Sequence, residues 1–139
     1  MQPRQTLALI TEKSLHGLDD VFEQAQPDMV LVHGDTSTTF AGALAAILSS
    51  KIPVGHVEAG LRTYDKYSPF PEEMNRKLTG QIATLHFAPT PRNRDNLARE
   101  SITDGVSVVG NTVVDAIHMT VRPEFCFRDE QLKTLEFSE

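Results

Sequence analysis

Four short apolar runs alternate along this chain with longer segments whose apolar residues recur at helical spacing. That alternation is the pattern of repeated β-α units and predicts a parallel sheet with flanking helices. The runs are Met29–His33, Pro53–Val57, Thr84–Ala88 and Val106–Val109. Leu7, Leu9, Ile10, Leu15, Leu18, Val21 and Phe22 predict a helix over roughly residues 5–25, ending before Pro27-Asp28. Thr36-Ser37-Thr38-Thr39 offers caps for a second helix through Leu48, small and apolar enough to lie tightly on a sheet. Residues 59–71 read as a long loop punctuated by Gly60, Pro69 and Pro71. Pro71 suits a first helical position, and Glu72 and Glu73 suit the positive end of a helix over about 72–83. Pro89-Thr90-Pro91 opens a helix carrying Leu97, and Asn111 is a natural cap for one containing Val113, Val114, Ile117 and Met119.

The chain has 139 residues, the size of one ordinary domain, with 40% hydrophobic and 23% charged residues, the balance of a soluble globular protein. A net charge of −6 without a basic cluster argues against nucleic acid as a partner. The stretch from Pro91 to Arg99 is locally basic and reads as a solvated helix face. The single cysteine, Cys126, cannot form an intramolecular disulfide, and no Cys/His spacing resembles a zinc site. No apolar run approaches the ~20 residues needed to span a bilayer. The polar start Met1-Gln2-Pro3-Arg4 lacks the apolar core of a signal peptide. The expectation is a soluble, cytoplasmic protein without a membrane partner.

Two of the strand-like runs end alike, in a histidine, one spacer and a carboxylate: His33-Gly34-Asp35 and His56-Val57-Glu58. Each acid then stands at the carboxyl end of a parallel strand, the edge where open α/β sheets bind ligands. Glu72 adds a third acid at a helix start. Carboxylates converging on one crevice are candidates for proton transfer or for cation binding. Extended geometry places His33 on the strand face of Asp35, and His56 on that of Glu58, where they could hold or tune those acids. Plainer roles stand beside these. Asp35 could cap the helix that follows, and Glu72 could serve the helix dipole and an i,i+4 pair with Arg76. Glu58, before Ala59-Gly60, has no capping role. His86 and His118 read as ordinary strand and helix residues. A metal set of His33, Asp35, His56 and Glu58 is allowed by residue type, although no local signature fixes a coordination geometry.

Four runs carry a resemblance. His33-Gly34-Asp35-Thr36, Pro53 through Thr63, Tyr67 through Arg76, and Gly110-Asn111-Thr112-Val113-Val114-Asp115 resemble, in order and spacing over roughly residues 4–120, the non-hydrolysing UDP-N-acetylglucosamine 2-epimerases of bacteria. The resemblance implies a Rossmann-like α/β domain, part of the first of two domains in the GT-B arrangement, with the active site between them. It implies interconversion of UDP-N-acetylglucosamine and UDP-N-acetylmannosamine for cell-envelope polysaccharides, without metal or other cofactor. By the same resemblance Asp35, Glu58 and Glu72 match the family's catalytic acids. Arg4 and Gln5, with Glu72 nearby, match positions that contact an activating copy of the substrate. The ligands implied are UDP-N-acetylglucosamine and UDP, and the full-length family members are homodimers.

The resemblance also sets the expected organisation. Residues 1–122 correspond to the latter part of the first domain, residues 123–139 read as a divergent tail, and the family's second domain has no counterpart. A strand that would be central in the usual doubly wound order, Met29–His33, would then have an unpaired edge. The chain alone is accordingly expected to self-associate or to be partly ordered, and to lack epimerase activity. Two alternatives remain open at this level: a metal-dependent hydrolase domain, and a non-catalytic nucleotide-sugar binding module.

Overall fold

A computed structural model describes residues 5–122 together with Phe125, Phe127, Arg128 and Leu132. The elements run α1 (Leu7–Ala25), β1 (Val30–His33), α2 (Ser37–Ser50), β2 (Val54–Val57), α3 (Glu72–Ile82), β3 (Leu85–Ala88), α4 (Pro91–Arg99), β4 (Val106–Val108) and α5 (Thr112–Thr120). Each segment expected from periodicity is present, with ends shifted by at most about two residues: α1 starts at Leu7, and α2 runs on past Leu48 to Ser50. Pro53 falls just outside β2, where it offers no N–H but its carbonyl accepts from Val30 N at 2.9 Å. Side-chain oxygens of Thr6, Thr36, Thr90 and Asn111 cap α1, α2, α4 and α5. Pro71 takes the cap position of α3 rather than its first helical position, and makes no side-chain cap bond. The expected tail, residues 123–139, lies outside the described residues apart from the four named above.

All pairings are parallel, in the order β1-β2-β3-β4. Because each strand passes to its next neighbour in one direction, right-handed crossovers set α2, α3 and α4 on a single face of the sheet. Val32, His56, His86 and Val106 are register partners and point to that face. The core there joins Phe22 of α1 and Ala43, Ala45 and Ala46 of α2 to Val32, Ile52 and Val54. Alanine keeps α2 close to the strands, and α1 packs across α2. At Gly42 a Cβ would already stand 3.4 Å from Val32 Cγ1.

The opposite face is sparsely covered. Leu31 lies across Gly55, where a Cβ would come within 2.6 Å of Leu31 Cδ2, and Leu31 itself remains 64% exposed. Among the described residues β1 pairs only with β2, so its outer edge is open. α5 buries no residue, and Val113, Val114 and Ile117 are each about half exposed.

An open parallel edge bearing an exposed leucine is a template for association. The purified chain is expected to sediment as a dimer or larger species at micromolar concentration. Leu31→Lys should weaken that association about tenfold or more by placing a charge beside the edge. Sedimentation velocity measures both, and a wild-type chain that stays monomeric would contradict the expectation.

Candidate functional site

The carboxyl ends of β1 and β2 turn sharply. Gly34 has φ 75°, and Glu58 has φ 68°, a left-handed conformation that a non-glycine residue adopts at a cost. Ladder bonds on either side hold the turn: Gly34 N donates to Val57 O, and Ala59 N to Phe87 O, each at 3.1 Å. The Glu58 carboxylate is thereby carried beside Gly34, where a Cβ would stand 3.6 Å from Oε2.

Asp35 does not cap α2, since Thr36 does so. Its Oδ2 instead accepts from Arg76 Nε at 3.0 Å and from the Arg76 terminal nitrogen NH2 at 2.6 Å. Its backbone carbonyl accepts from Asn75 Nδ2 at 2.8 Å, so α3 grips the β1–α2 loop twice. Arg76 is engaged by Asp35 and Glu73, not by Glu72 as the i,i+4 spacing allowed.

The two histidines cross over relative to expectation. His33 Nε2 lies 3.5 Å from Glu58 Oε2, on the neighbouring loop. His56 Nε2 meets Gly34 O at 2.8 Å. A carbonyl can only accept, so the imidazole proton sits on Nε2, and buried Nδ1 has no partner among the described residues. Burial pushes the His56 pKa down to about 4, with His86, Arg62 and His33 adding repulsion that the Gly34 bond offsets only in part. His86, its buried register partner, is also lowered, chiefly by burial. Both rings are therefore neutral near pH 7.

Glu72 stands apart from this network. With Gln5, Leu7, Thr36, Ser37 and Pro71 it lines a cavity of about 400 Å³ between α1, the start of α2 and the start of α3. Its Oε2 is buried and has no hydrogen-bond partner among the described residues. Gln5 thus shares a cavity with Glu72, whereas Arg4 lies outside the described residues. The three acids surround the β1–α2 loop: Asp35 within it, Glu58 against Gly34, and Glu72 across from Thr36 and Ser37.

The tetrad required by a metal-dependent hydrolase does not come together. His56 is committed to Gly34 O and Asp35 to Arg76, and among the described residues no cluster of three or more His, Cys, Asp or Glu could hold a metal ion.

Sequence reasoning missed the residues that fix the long loop. Glu73 is fully buried, and its carboxylate accepts from Thr63 N and Tyr64 N at 3.0 Å each and from Arg76 at 3.2 Å. Burial pushes its pKa up, but the two backbone donors, Arg76 and Arg62 outweigh this and hold it below the usual carboxylate value. Arg62, its side chain fully buried, forms a two-point pair with Glu100 at 2.9 and 2.7 Å. Asn96 of α4 donates to Gly60 O and accepts from the Tyr64 hydroxyl. The i,i+3 spacing of Glu73 and Arg76 was a usable signal. Nothing local marks Arg62 and Glu100, which lie 38 residues apart.

A four-stranded parallel sheet with flanking helices, and carboxylates grouped on the loops at its carboxyl edge, defines a Rossmann-like α/β domain whose acid-bearing edge is the one where such sheets bind ligands. The sequence profile described as UDP-N-acetylglucosamine 2-epimerase matches residues 1–136, and the chain belongs to that family. The match thus extends past residue 122, beyond the four motifs. The UDP-N-acetylglucosamine 2-epimerase of Bacillus subtilis is 60% identical over 123 residues, 88% of this chain and 32% of that protein. A Thermotoga maritima relative is 57% identical over all 139 residues, 36% of its own length. The crystal structure of the Neisseria meningitidis UDP-GlcNAc 2-epimerase bound to UDP-GlcNAc superposes with a TM-score of 0.82 at 52% identity, covering 96% of this chain and 34% of that one. The chain thus spans about a third of the length of these relatives.

A neutral, buried His56 makes stability depend on pH. The unfolded ring binds a proton below its ordinary value of 6.5 whereas the folded one does so only near 4, so stability falls as pH drops between those values. The total effect is about 3 kcal/mol. His56→Gln retains an N–H donor toward Gly34 O without titrating. Urea unfolding at pH 7.5 and pH 5 is expected to show a smaller loss for H56Q than for the wild type, and equal losses would contradict this account.

Proposed function

We propose that this chain carries the acid–base carboxylates of an enzyme that interconverts UDP-N-acetylglucosamine and UDP-N-acetylmannosamine. The observation that supports this reading best is the grouping of Asp35, Glu58 and Glu72 around one loop at the sheet's carboxyl edge, in three different states of engagement. Among the described residues Asp35 is pinned by Arg76, Glu58 pairs with a histidine at 3.5 Å, and Glu72 has an oxygen with no partner. Inverting C2 of the sugar requires a proton to leave one face and another to arrive at the opposite face, so more than one acid–base group is needed. In this reaction a carboxylate takes the C2 proton as the C1–O bond breaks and UDP departs with the bonding pair. UDP then re-adds at C1 while a carboxylic acid returns a proton to C2 from the other side.

The reading extends to the protein's surroundings. The cavity lined by Gln5 and Glu72 takes an activating nucleotide sugar, and Arg4, which precedes Gln5 in sequence, matches a second activator-contacting position of the family. The complete enzyme is a homodimer in the cytoplasm, works without metal or other cofactor, and supplies precursors for cell-envelope polysaccharide. The 139 residues alone, with their open edge and half-covered sheet, bring only part of the reaction's machinery and have no turnover of their own. No helix among the described residues is long and apolar enough to cross a membrane.

The test is a graft, in which the matching residues of this chain replace their counterparts in the Bacillus subtilis enzyme. The graft is expected to epimerise UDP-N-acetylglucosamine and to exchange deuterium from solvent into C2. Glu58→Gln or Glu72→Gln should each lower kcat by about 100-fold or more, the scale of a lost acid or base. Turnover unaffected by either change would exclude these carboxylates from the chemistry. Binding without turnover would instead favour the non-catalytic nucleotide-sugar module.

A further inference from the structure

We propose that Glu73 is a positioning residue that, acting through Arg76, selects which oxygen of Asp35 is available to substrate. The inference rests on the reading of Asp35 given above and adds a residue to which that reading assigns no role.

The argument begins with burial. The Glu73 side chain has no exposed surface, and a carboxylate taken out of water persists as an ion only where donors replace its hydration. Three do so. Tyr64 N donates to Oε1, while Thr63 N and the Arg76 terminal nitrogen NH1 both donate to Oε2. The two backbone donors suffice to pin the loop, and the third reaches toward the acids.

Arg76 is itself only 13% exposed. Its guanidinium is planar and rigid, so holding NH1 on Glu73 fixes the direction of the opposite edge, formed by Nε and NH2. That edge delivers both of its donors to one atom, Asp35 Oδ2, at 3.0 and 2.6 Å. An arginine free to turn would ordinarily engage both carboxylate oxygens in a fork. Here Oδ2 is used twice, and Oδ1 has no partner among the described residues. Asn75 Nδ2 holds the Asp35 backbone at 2.8 Å, so the carboxylate cannot follow Arg76 by moving the loop. The result is a carboxylate with one oxygen saturated by a cation and one oxygen open.

A neutral replacement at Glu73 breaks this arrangement in a defined way. Glutamine keeps one acceptor oxygen and no charge, so its amide N–H must face either Tyr64 N or the pair Thr63 N and Arg76, all of which are donors, and any bond it keeps to Arg76 is a neutral one. In either orientation Arg76 loses its charged stop and is freer to rotate relative to Asp35. Glu73→Asp keeps the charge with a reach shorter by one methylene.

Two readouts separate this role from simple loop anchoring. The first is solvent exchange of the Arg76 Nε–H, followed by NMR in the full 139-residue chain. That proton is donated to Asp35, not to Glu73, so an anchor acting only on Thr63 and Tyr64 leaves it unchanged. Glu73→Gln is expected to accelerate its exchange about tenfold or more, and Glu73→Asp by less. Exchange within about twofold of wild type in folded E73Q overturns the proposal. Should E73Q prove unfolded by circular dichroism, E73D is read in its place, with acceleration beyond about threefold supporting the proposal and a smaller change overturning it.

The second readout is turnover in the graft. E73Q is expected to lower kcat about tenfold or more with KM within about threefold, and E73D to recover most of the loss. A rise in KM with kcat unchanged overturns the positioning role. A graft inactive before any substitution refutes the epimerase reading instead, and the exchange measurement still decides whether Glu73 governs the Arg76–Asp35 pair.

Discussion

One fully buried carboxylate organises the loops of this protein. Glu73 ties together the segment after β2, the first turn of α3 and, through Arg76, the β1–α2 loop. Removing a carboxylate from water costs several kcal/mol, and the cost is met only because three donors converge on it. The segment it anchors is long and carries no helix or strand from residue 58 to residue 71. A loop of that length stays ordered only with repeated tethers. Here Asn96 holds Gly60 O, Arg62 reaches Glu100, and Glu73 takes the N–H groups of Thr63 and Tyr64. Successive residues are thus fixed to α4 and α3 in turn, and Glu58 and Glu72, at the two ends of the loop, inherit their positions from it.

The fold was legible because its signals are local. Periodicity of two against 3.6, with Thr36 and Asn111 as caps, places the elements within about two residues of where they lie. The grouping of acids at one sheet edge was also legible, since strand ends in a parallel sheet align. Which glutamate turns inward was not. Glu72 and Glu73 are adjacent in sequence, and only the helical rotation of about 100° per residue separates a cavity-lining acid from a buried anchor. The histidines show the same limit. Period-two alternation assigns each ring a strand face, but at a strand end the backbone turns out of extended geometry. His33 therefore meets the Glu58 loop, and His56 meets Gly34. Contacts such as Arg62 with Glu100 depend on how α4 docks, which no neighbouring residues encode.

The sheet itself carries an asymmetry with functional weight. Parallel sheets are ordinarily covered on both faces. In this one the face toward α2, α3 and α4 holds the core, while Leu31, Leu85 and Phe87 on the other face are exposed or only partly covered. The open face and the free edge of β1 border the loop that bears Asp35. A chain that spans about a third of its relatives' length therefore presents its site beside apolar surface of its own. Order at the carboxyl edge consequently depends on polar tethers from α3 and α4, not on burial from both sides, which explains why so many charged and amide side chains are spent there.

Glu58 shows how such a scaffold holds a costly conformation. A left-handed backbone disfavours any residue with a Cβ, by roughly 1–2 kcal/mol, and glycine or asparagine is the usual solution. Glycine is used at the matching turn after β1, where Gly34 has φ 75°. At Glu58 the strain is kept and glutamate retained, with Gly34 N on Val57 O and Ala59 N on Phe87 O clamping the backbone on both sides. The clamp explains how the conformation persists, and the side chain explains what it accomplishes. A glutamate in ordinary extended geometry would continue the strand alternation, whereas the left-handed turn brings its carboxylate against Gly34 and within 3.5 Å of His33. Gly34 in turn takes its own positive φ without the Cβ penalty, and a Cβ there would simply touch Glu58 Oε2 at 3.6 Å. The two strand ends are therefore coupled through Gly34 N on Val57 O: glycine takes the left-handed turn at one end, and the strained acid takes it at the other.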